Sequence, residues 1–211
     1  MRNHFFKLIG AGIPLEVIGV DVGEASGGTD MTNLVYPTGI EADDLLLIIA
    51  TTKEFTNDIK TYPTGFSPHF PNPAAENPII IYYKIATGSE SGVITNLSGA
   101  QQIGAAIYCI RGADNNSIID YDYVEVNSNN AVSPSSTSTE ADQIHLIGAT
   151  GNDKGPTEIS ISGYTFGGRV NNNGSAITYY GTLSSVGATG TVNMGLYNNK
   201  GIVWSVIVGA A

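Results

Sequence analysis

The sequence predicts an all-β protein, a two-sheet antiparallel jelly-roll-like sandwich built from two sequence-related halves. Three observations carry that prediction. Only 13% of the 211 residues are charged while 26 are glycine, so surface polarity falls to Asn, Ser and Thr, which suit turns and β-surfaces. Apolar residues come in strand-length runs bounded by turn clusters and do not recur at helical spacing. Finally, EADDLLLIIAT at 41–51 returns as EADQIHLIGAT at 140–150, with seven of eleven positions identical.

The repeat extends in order along the chain. PTGFS at 63–67 matches ISGYT at 161–165, and Tyr82-Tyr83 matches Tyr179-Tyr180. GAAIYCIRGA at 104–113 matches GIVWSVIVGA at 201–210, and VDV at 20–22 matches VEV at 124–126. From 41 onward the offsets drift from 99 to 97, as loop trimming between fixed strands would produce, while the upstream VDV match, at 104, implies a longer loop in the first half. A period near one hundred is too long for a solenoid or propeller blade. The organisation read from this is an arm at 1–12 and one sandwich domain at 13–211, with halves at about 13–113 and 118–210.

Taken in chain order, the arm contains Phe5, Phe6, Leu8 and Ile9, too apolar for a free tail. It reads either as a first strand or lid on the same domain or as a segment that docks on a neighbouring subunit. DLLLIIATT at 44–52 is a continuous apolar run, the mark of a strand buried on both faces. IIIYYKIATG at 79–88 alternates Ile79, Ile81, Tyr83 and Ile85 with Ile80, Tyr82 and Lys84, and Lys84 places the second face toward solvent. AAIYCIRG at 105–112 is apolar on both faces up to Arg111. DYDYVEV at 120–126 reads as an acidic edge strand, and QIHLIGAT, AITYYGTL and GIVWSVIVG repeat the earlier series. Short Gly- and Asn-rich links such as TGSESG and SVGATG favour antiparallel pairing, for a total of ten to twelve strands.

Net charge is −10 and the pI is near 4.5, which argues against nucleic acid and anionic membranes as partners. The single cysteine, Cys109, allows no internal disulfide. The first thirteen residues make a poor signal peptide because Lys7 interrupts a short apolar stretch, so a soluble protein made in a cytoplasm is expected.

The search for chemistry nominates no catalytic residue, cofactor site or metal site. His4, His69 and His145 lack metal-ligand spacing, and His145 stands where the first half has Leu46, a sheet position to be satisfied by one hydrogen bond. Cys109 aligns with Val206 and reads as a small apolar plug, and Trp204 reads as core. Asp120 and Asp122 share a strand face and could be tested for Ca2+, but Glu125 points the other way. Asp43, Asp44 and Asp142 sit at strand entrances, where carboxylates accept backbone N–H bonds. Each Tyr pair, 82–83 and 179–180, leaves one ring free for a glycan. The Asn triplets at 96–98, 115–117 and 173–175 match glycosylation acceptors but carry little weight in an Asn- and Ser-rich chain.

The series EADDLLLIIATT, YPTGFS, IIIYYKIATGSESGVITNLSG and AAIYCIRGAD resembles a β-sandwich family common among structural proteins of tailed bacteriophages. In that family a GDLLL strand, a P-x-G-(F/W) turn, a YYK-x-ATGSE hairpin and an A-x-Y-x-x-RG strand recur in this order. The match covers residues 35–120 well and the second half loosely; Phe66 stands for the usual turn Trp, and the Gly before the Asp is Ala42. The resemblance implies a non-enzymatic virion protein without cofactors, foremost a capsid decoration or cement protein. Its partners would be the major capsid protein and copies of itself, in a homo-oligomer such as a trimer, with the arm reaching a neighbour. The alternative is a tail-fibre or baseplate adhesin that recognises host glycans.

Overall fold

The structure is a computed structural model that describes residues 13–52, 59–70, 78–126, 132–151, 159–171, 175–194 and 201–211. The apolar arm residues Phe5, Phe6, Leu8 and Ile9, together with His4, lie outside the described residues. In the first half the strands are β1 (Glu16–Ala25), β2 (Ala42–Thr52), β3 (Ile59–Thr61), β4 (Ser67–Phe70), β5 (Ile79–Thr87), β6 (Ser98–Gly99) and β7 (Ile103–Arg111). The second half holds β8 (Ile118–Val126), β9 (Thr137–Ser138), β10 (Ile144–Gly151), β11 (Thr165–Asn171), β12 (Ser175–Thr182), β13 (Gly187–Ala188) and β14 (Gly201–Val208).

Two five-stranded antiparallel sheets result, in the orders β1-β7-β2-β5-β4 and β8-β14-β10-β12-β11. The orders correspond strand for strand, so each half of the sequence closes its own sheet. Among the described strands the chain passes from one sheet to the other once, between β7 and β8. The repeated EAD…LI…AT stretch is the middle strand of each sheet. Thr51 and Thr150, equivalent residues 99 apart, meet across the interface through a 2.9 Å hydroxyl hydrogen bond, which puts the pseudo-twofold axis between them.

The strand register refines two pairings of the repeat: Val20 and Val22 lie opposite Tyr108 and Ala106 as Tyr121 and Tyr123 lie opposite Val206 and Trp204, so VDV corresponds to 121–123 and not to VEV at 124–126. Leu46 lies opposite Cys109 and its counterpart His145 lies opposite Ile207, so Cys109 corresponds to Ile207 and not to Val206. Matching by the shared terminal Gly-Ala slips the strand by one position. A slip of that size exchanges the two faces, which is why Cys109 lies on the outer face and Val206 on the inner one.

The central strands of both sheets are buried on both faces. Leu45, Leu47, Ile49, Ile81 and Tyr108 of the first sheet meet Leu146, Trp204 and Val206 of the second. Outside the first sheet, Ile48, Ile80, Tyr82 and Ile107 are covered by Met31, Leu34, Phe66, Ile94 and Leu97 from the connecting segments. Outside the second, Ile147, Ile177, Tyr179 and Val203 lie under Met194, Ile161 and Tyr164. The covers are tied down by backbone bonds such as Met31 N–H to Leu97 O at 2.8 Å and Ser133 N–H to Val192 O at 2.8 Å. The β3–β6 and β9–β13 ribbons belong to these covers and bring the strands above the expected ten to twelve.

The second face of β5 therefore does not reach solvent, contrary to the reading of Lys84. Ile80 and Tyr82 are fully buried, and each such side chain contributes roughly 1.5–3 kcal/mol that open water would forfeit. Lys84 lies at the margin of the cover, paired with Glu90 at 2.9 Å and set over the Tyr36 ring.

The sandwich is tighter along one side. There β1 leans on β11, where Gly167 and Gly168 leave room for Val20 and Val22; a Cβ on Gly168 would come within 2.6 Å of Val22 Cγ2.

Candidate functional site

Three polar constellations emerge from the described residues, and each traces to a local sequence feature. At the entrance to β2, Asp44 is 2% exposed and held by Arg111 through two 3.0 Å bonds, Nε to Oδ1 and Nη2 to Oδ2. The Glu41 amide donates to the same carboxylate at 2.8 Å, and the Cys109 thiol lies 3.4 Å from it. Burial works to raise the Asp44 pKa, but the Arg111 and Glu41 hydrogen bonds outweigh it and hold the carboxyl below its usual range. Burial, reinforced by the adjacent Asp44 charge, pushes the Cys109 thiol up to about 12, the opposite of an activated nucleophile.

Asp43, just before Asp44, has φ 72°, and its counterpart Asp142 has φ 62°. Both turns thus need a left-handed residue at this position, a conformation that Asp tolerates.

The second constellation caps the β5 hairpin. Glu90 accepts bonds from the Thr87 and Gly88 amides and the Thr87 hydroxyl at 3.0 Å each, and pairs with Lys84. Burial raises its pKa, but these donors prevail and hold it at about 2. Four charged residues, Asp44, Lys84, Glu90 and Arg111, are thereby consumed in two internal pairs. The sequence reading missed both. The signal was there in the second half, which has Gln143 for Asp44 and Gly181 for Lys84.

The third is a buried polar chain beneath the cover of the second sheet. Tyr164 Oη lies 2.5 Å from His145 Nδ1, His145 Nε2 lies 2.7 Å from Ser205 Oγ, and Ser205 Oγ lies 2.6 Å from Ser136 Oγ. His145 has two partners where one was expected, because Tyr164 from the cover reaches the ring from above. Burial alone lowers its pKa to about 4, so the ring is neutral at pH 7. The order Ser–His–Tyr resembles a nucleophile, base and orienting group. Ser205 is nevertheless 0% exposed and sealed under Ser136, so in this conformation its hydroxyl meets no substrate. The chain's evident work is to satisfy a histidine set where the first half places Leu46.

The remaining nominated residues fall as follows. Trp204 is core, with its ring edge-on to Tyr108 at 6.5 Å. His69 lies on β4 with its ring edge-on to Tyr83. Tyr82 and Tyr179 are buried under the two covers, while Tyr83 and Tyr180 are half-buried against the interface core, so no ring of either pair stands free as a platform. β8 is an edge strand, as the acidic reading required; Asp120 accepts the Thr137 amide at 2.7 Å and Asp122 the Tyr123 amide at 2.8 Å. Among the described residues no group of three or more His, Cys, Asp or Glu could hold a metal ion. The Asn96 amide is spent on Thr64 Oγ1 at 2.7 Å. No described helix is long and apolar enough to cross a membrane. Comparison of the chain with protein-family models, with curated proteins and with solved structures finds no match.

Proposed function

We propose that the protein is a non-enzymatic structural component of a tailed-phage virion, a decoration protein that clamps the head shell. The observation that carries this reading is the ordered motif series, which falls on β2, the 63–66 turn, the β5 hairpin and β7, with its charged members bonded to one another. A series of that kind specifies a scaffold. Central strands buried on both faces, with covers hydrogen-bonded over them, also suit a part that must resist deformation. The major capsid protein and further copies of this chain are the partners this role requires, and the acidic surface would favour a basic patch on the shell. Glycan recognition by a tail adhesin loses its expected platform because both Tyr pairs are packed.

The test is made on particles. Virions depleted of this protein should lose resistance to heat and osmotic shock, and labelled antibody should decorate the head. Particles of unchanged stability, or label confined to the tail, would overturn the clamping role.

A further inference from the structure

An open groove of about 240 Å³ lies between the 163–164 turn, the end of β12 and the β9–β13 ribbon, lined in part by Ser138, Tyr164, Gly181, Ser184, Ser185 and Gly187. The internal repeat shows what fills the same place in the first half. Gly163-Tyr164 corresponds to Gly65-Phe66, with φ 82° and 83° at the two glycines. Lys84 lies opposite Leu46 as Gly181 lies opposite His145, and Glu90 stands six residues beyond Lys84 as Gly187 does beyond Gly181. In the first half the Lys84 ammonium lies 5.7 Å from the centre of the Tyr36 ring, which stacks on Phe66, and its partner Glu90 is 3% exposed. Both members of that pair are glycine in the second half, so the space they occupy stands open. Position 181 cannot refill it, because a Cβ there would fall 2.5 Å from Gly163 O.

What remains is neutral and rich in hydroxyls. None of the described residues that line the groove is charged, so an ionic ligand would shed water without gaining a counter-charge. The Ser138 hydroxyl is spent on the wall, accepting the Gly187 amide at 3.0 Å and donating to Ser185 O at 3.0 Å. The exposed Thr182, Ser184 and Ser185 hydroxyls have no partner among the described residues. Tyr164 turns its own hydroxyl inward, to His145 Nδ1 at 2.5 Å, so its half-buried ring is held fixed and offers the groove carbon surface. A matching ligand is uncharged and carries both a hydrocarbon face and several hydroxyls. The volume falls below the roughly 300–1,000 Å³ of sites for drug-sized ligands, which limits it to one small ring. We propose that the groove is a binding subsite for a single neutral sugar ring, its C–H face packed on Tyr164 and its hydroxyls bonded to Thr182, Ser184 and Ser185. The proposal goes beyond the virion reading and does not depend on it, and the ring it uses belongs to neither Tyr pair.

The experiment is amide NMR of the isotopically labelled full chain, titrated with the methyl glycosides of glucose, galactose and N-acetylglucosamine, and with glucosamine and glucuronic acid as charged counterparts. At least one neutral glycoside should shift the Gly163, Gly181 and Gly187 amides and saturate in the millimolar range. Its affinity should fall at least about tenfold in Tyr164→Leu, which removes the ring, and in Ala188→Trp, which fills the groove from the exposed β13 ribbon. Far-UV circular dichroism identifies which variants keep the parent's fold. No response to any neutral glycoside, shifts confined to other residues, or shifts that rise linearly to about 100 mM would overturn the proposal. Tighter binding of either charged sugar, or unchanged affinity in a variant that keeps the parent's spectrum, would overturn it as well.

Discussion

The pair Gly148 and Trp204 offers the sharpest test of the internal symmetry. They face each other on β10 and β14, where the first half sets Ile49 opposite Ala106 on β2 and β7. The large and small partners have exchanged strands. The Trp204 ring lies directly over Gly148, so a Cβ there would fall 2.0 Å from Cζ2, and the ring is backed by Tyr108. Gly148→Ile alone must displace a packed indole, and overpacking of this kind costs about 3 kcal/mol or more. Trp204→Ala alone leaves a cavity against Tyr108 at a cost of about 3–5 kcal/mol. Independent effects would sum to roughly 6–8 kcal/mol, which exceeds the stability of many domains. The double variant instead rebuilds the Ile–Ala pair of the first half, so it should recover at least about 2 kcal/mol of that sum. Urea unfolding of all four proteins, followed by far-UV circular dichroism because the only tryptophan is removed, measures the coupling. Additivity to within about 0.5 kcal/mol would refute the claim that the two positions compensate.

Other outcomes follow from the same geometry. His145 binds a proton in the unfolded state below its ordinary value of 6.5 but in the folded state only below about 4, so stability is full above pH 6.5 and falls as pH drops toward 4. The loss should reach about 3 kcal/mol by denaturant titration, and His145→Leu should flatten the profile in that window. Thr51→Val alone should cost about 1–3 kcal/mol by stranding the Thr150 hydroxyl, whereas Thr51→Val with Thr150→Val should come close to neutral. Arg111→Met should lower the thermal midpoint more than Arg111→Met with Asp44→Asn, because only the former leaves a buried carboxylate without its cation; equal midpoints would refute the pairing. Cys109, buried and held protonated, should resist thiol reagents in the native protein and react at once in denaturant.

Much of the architecture was legible because a strand's periodicity is local. The continuous run 44–52 and the EAD entrances identified the central strands, and the ordered matches identified two halves that turn out to be two sheets. Cys109 and Trp204 were also readable as core, since an apolar run without a nearby base or breaker has few other fates. The acidic strand 120–126 was readable as an edge for the complementary reason, that its charges needed solvent or free amides.

What sequence left open depends on residues far apart in the chain. Lys84 looked solvent-facing because nothing local announces that segments around 31–36 and 92–97 fold back over Ile80 and Tyr82. A separate long-range cover over the second sheet buries Tyr179 and brings Tyr164 and Ser136 to His145 and Ser205. Register decided the partner of Cys109, because terminal identity favours one alignment and the ladder, with its strict alternation of faces, enforces another. By itself, then, the sequence determined the all-β class, the doubled design and the strands that form the core, all consequences of hydrophobic pattern along a few neighbouring residues. Which faces are covered, which charges cancel and which groove stays open were decided only when the two sheets met, because burial and ion pairing depend on distance in space and not along the chain.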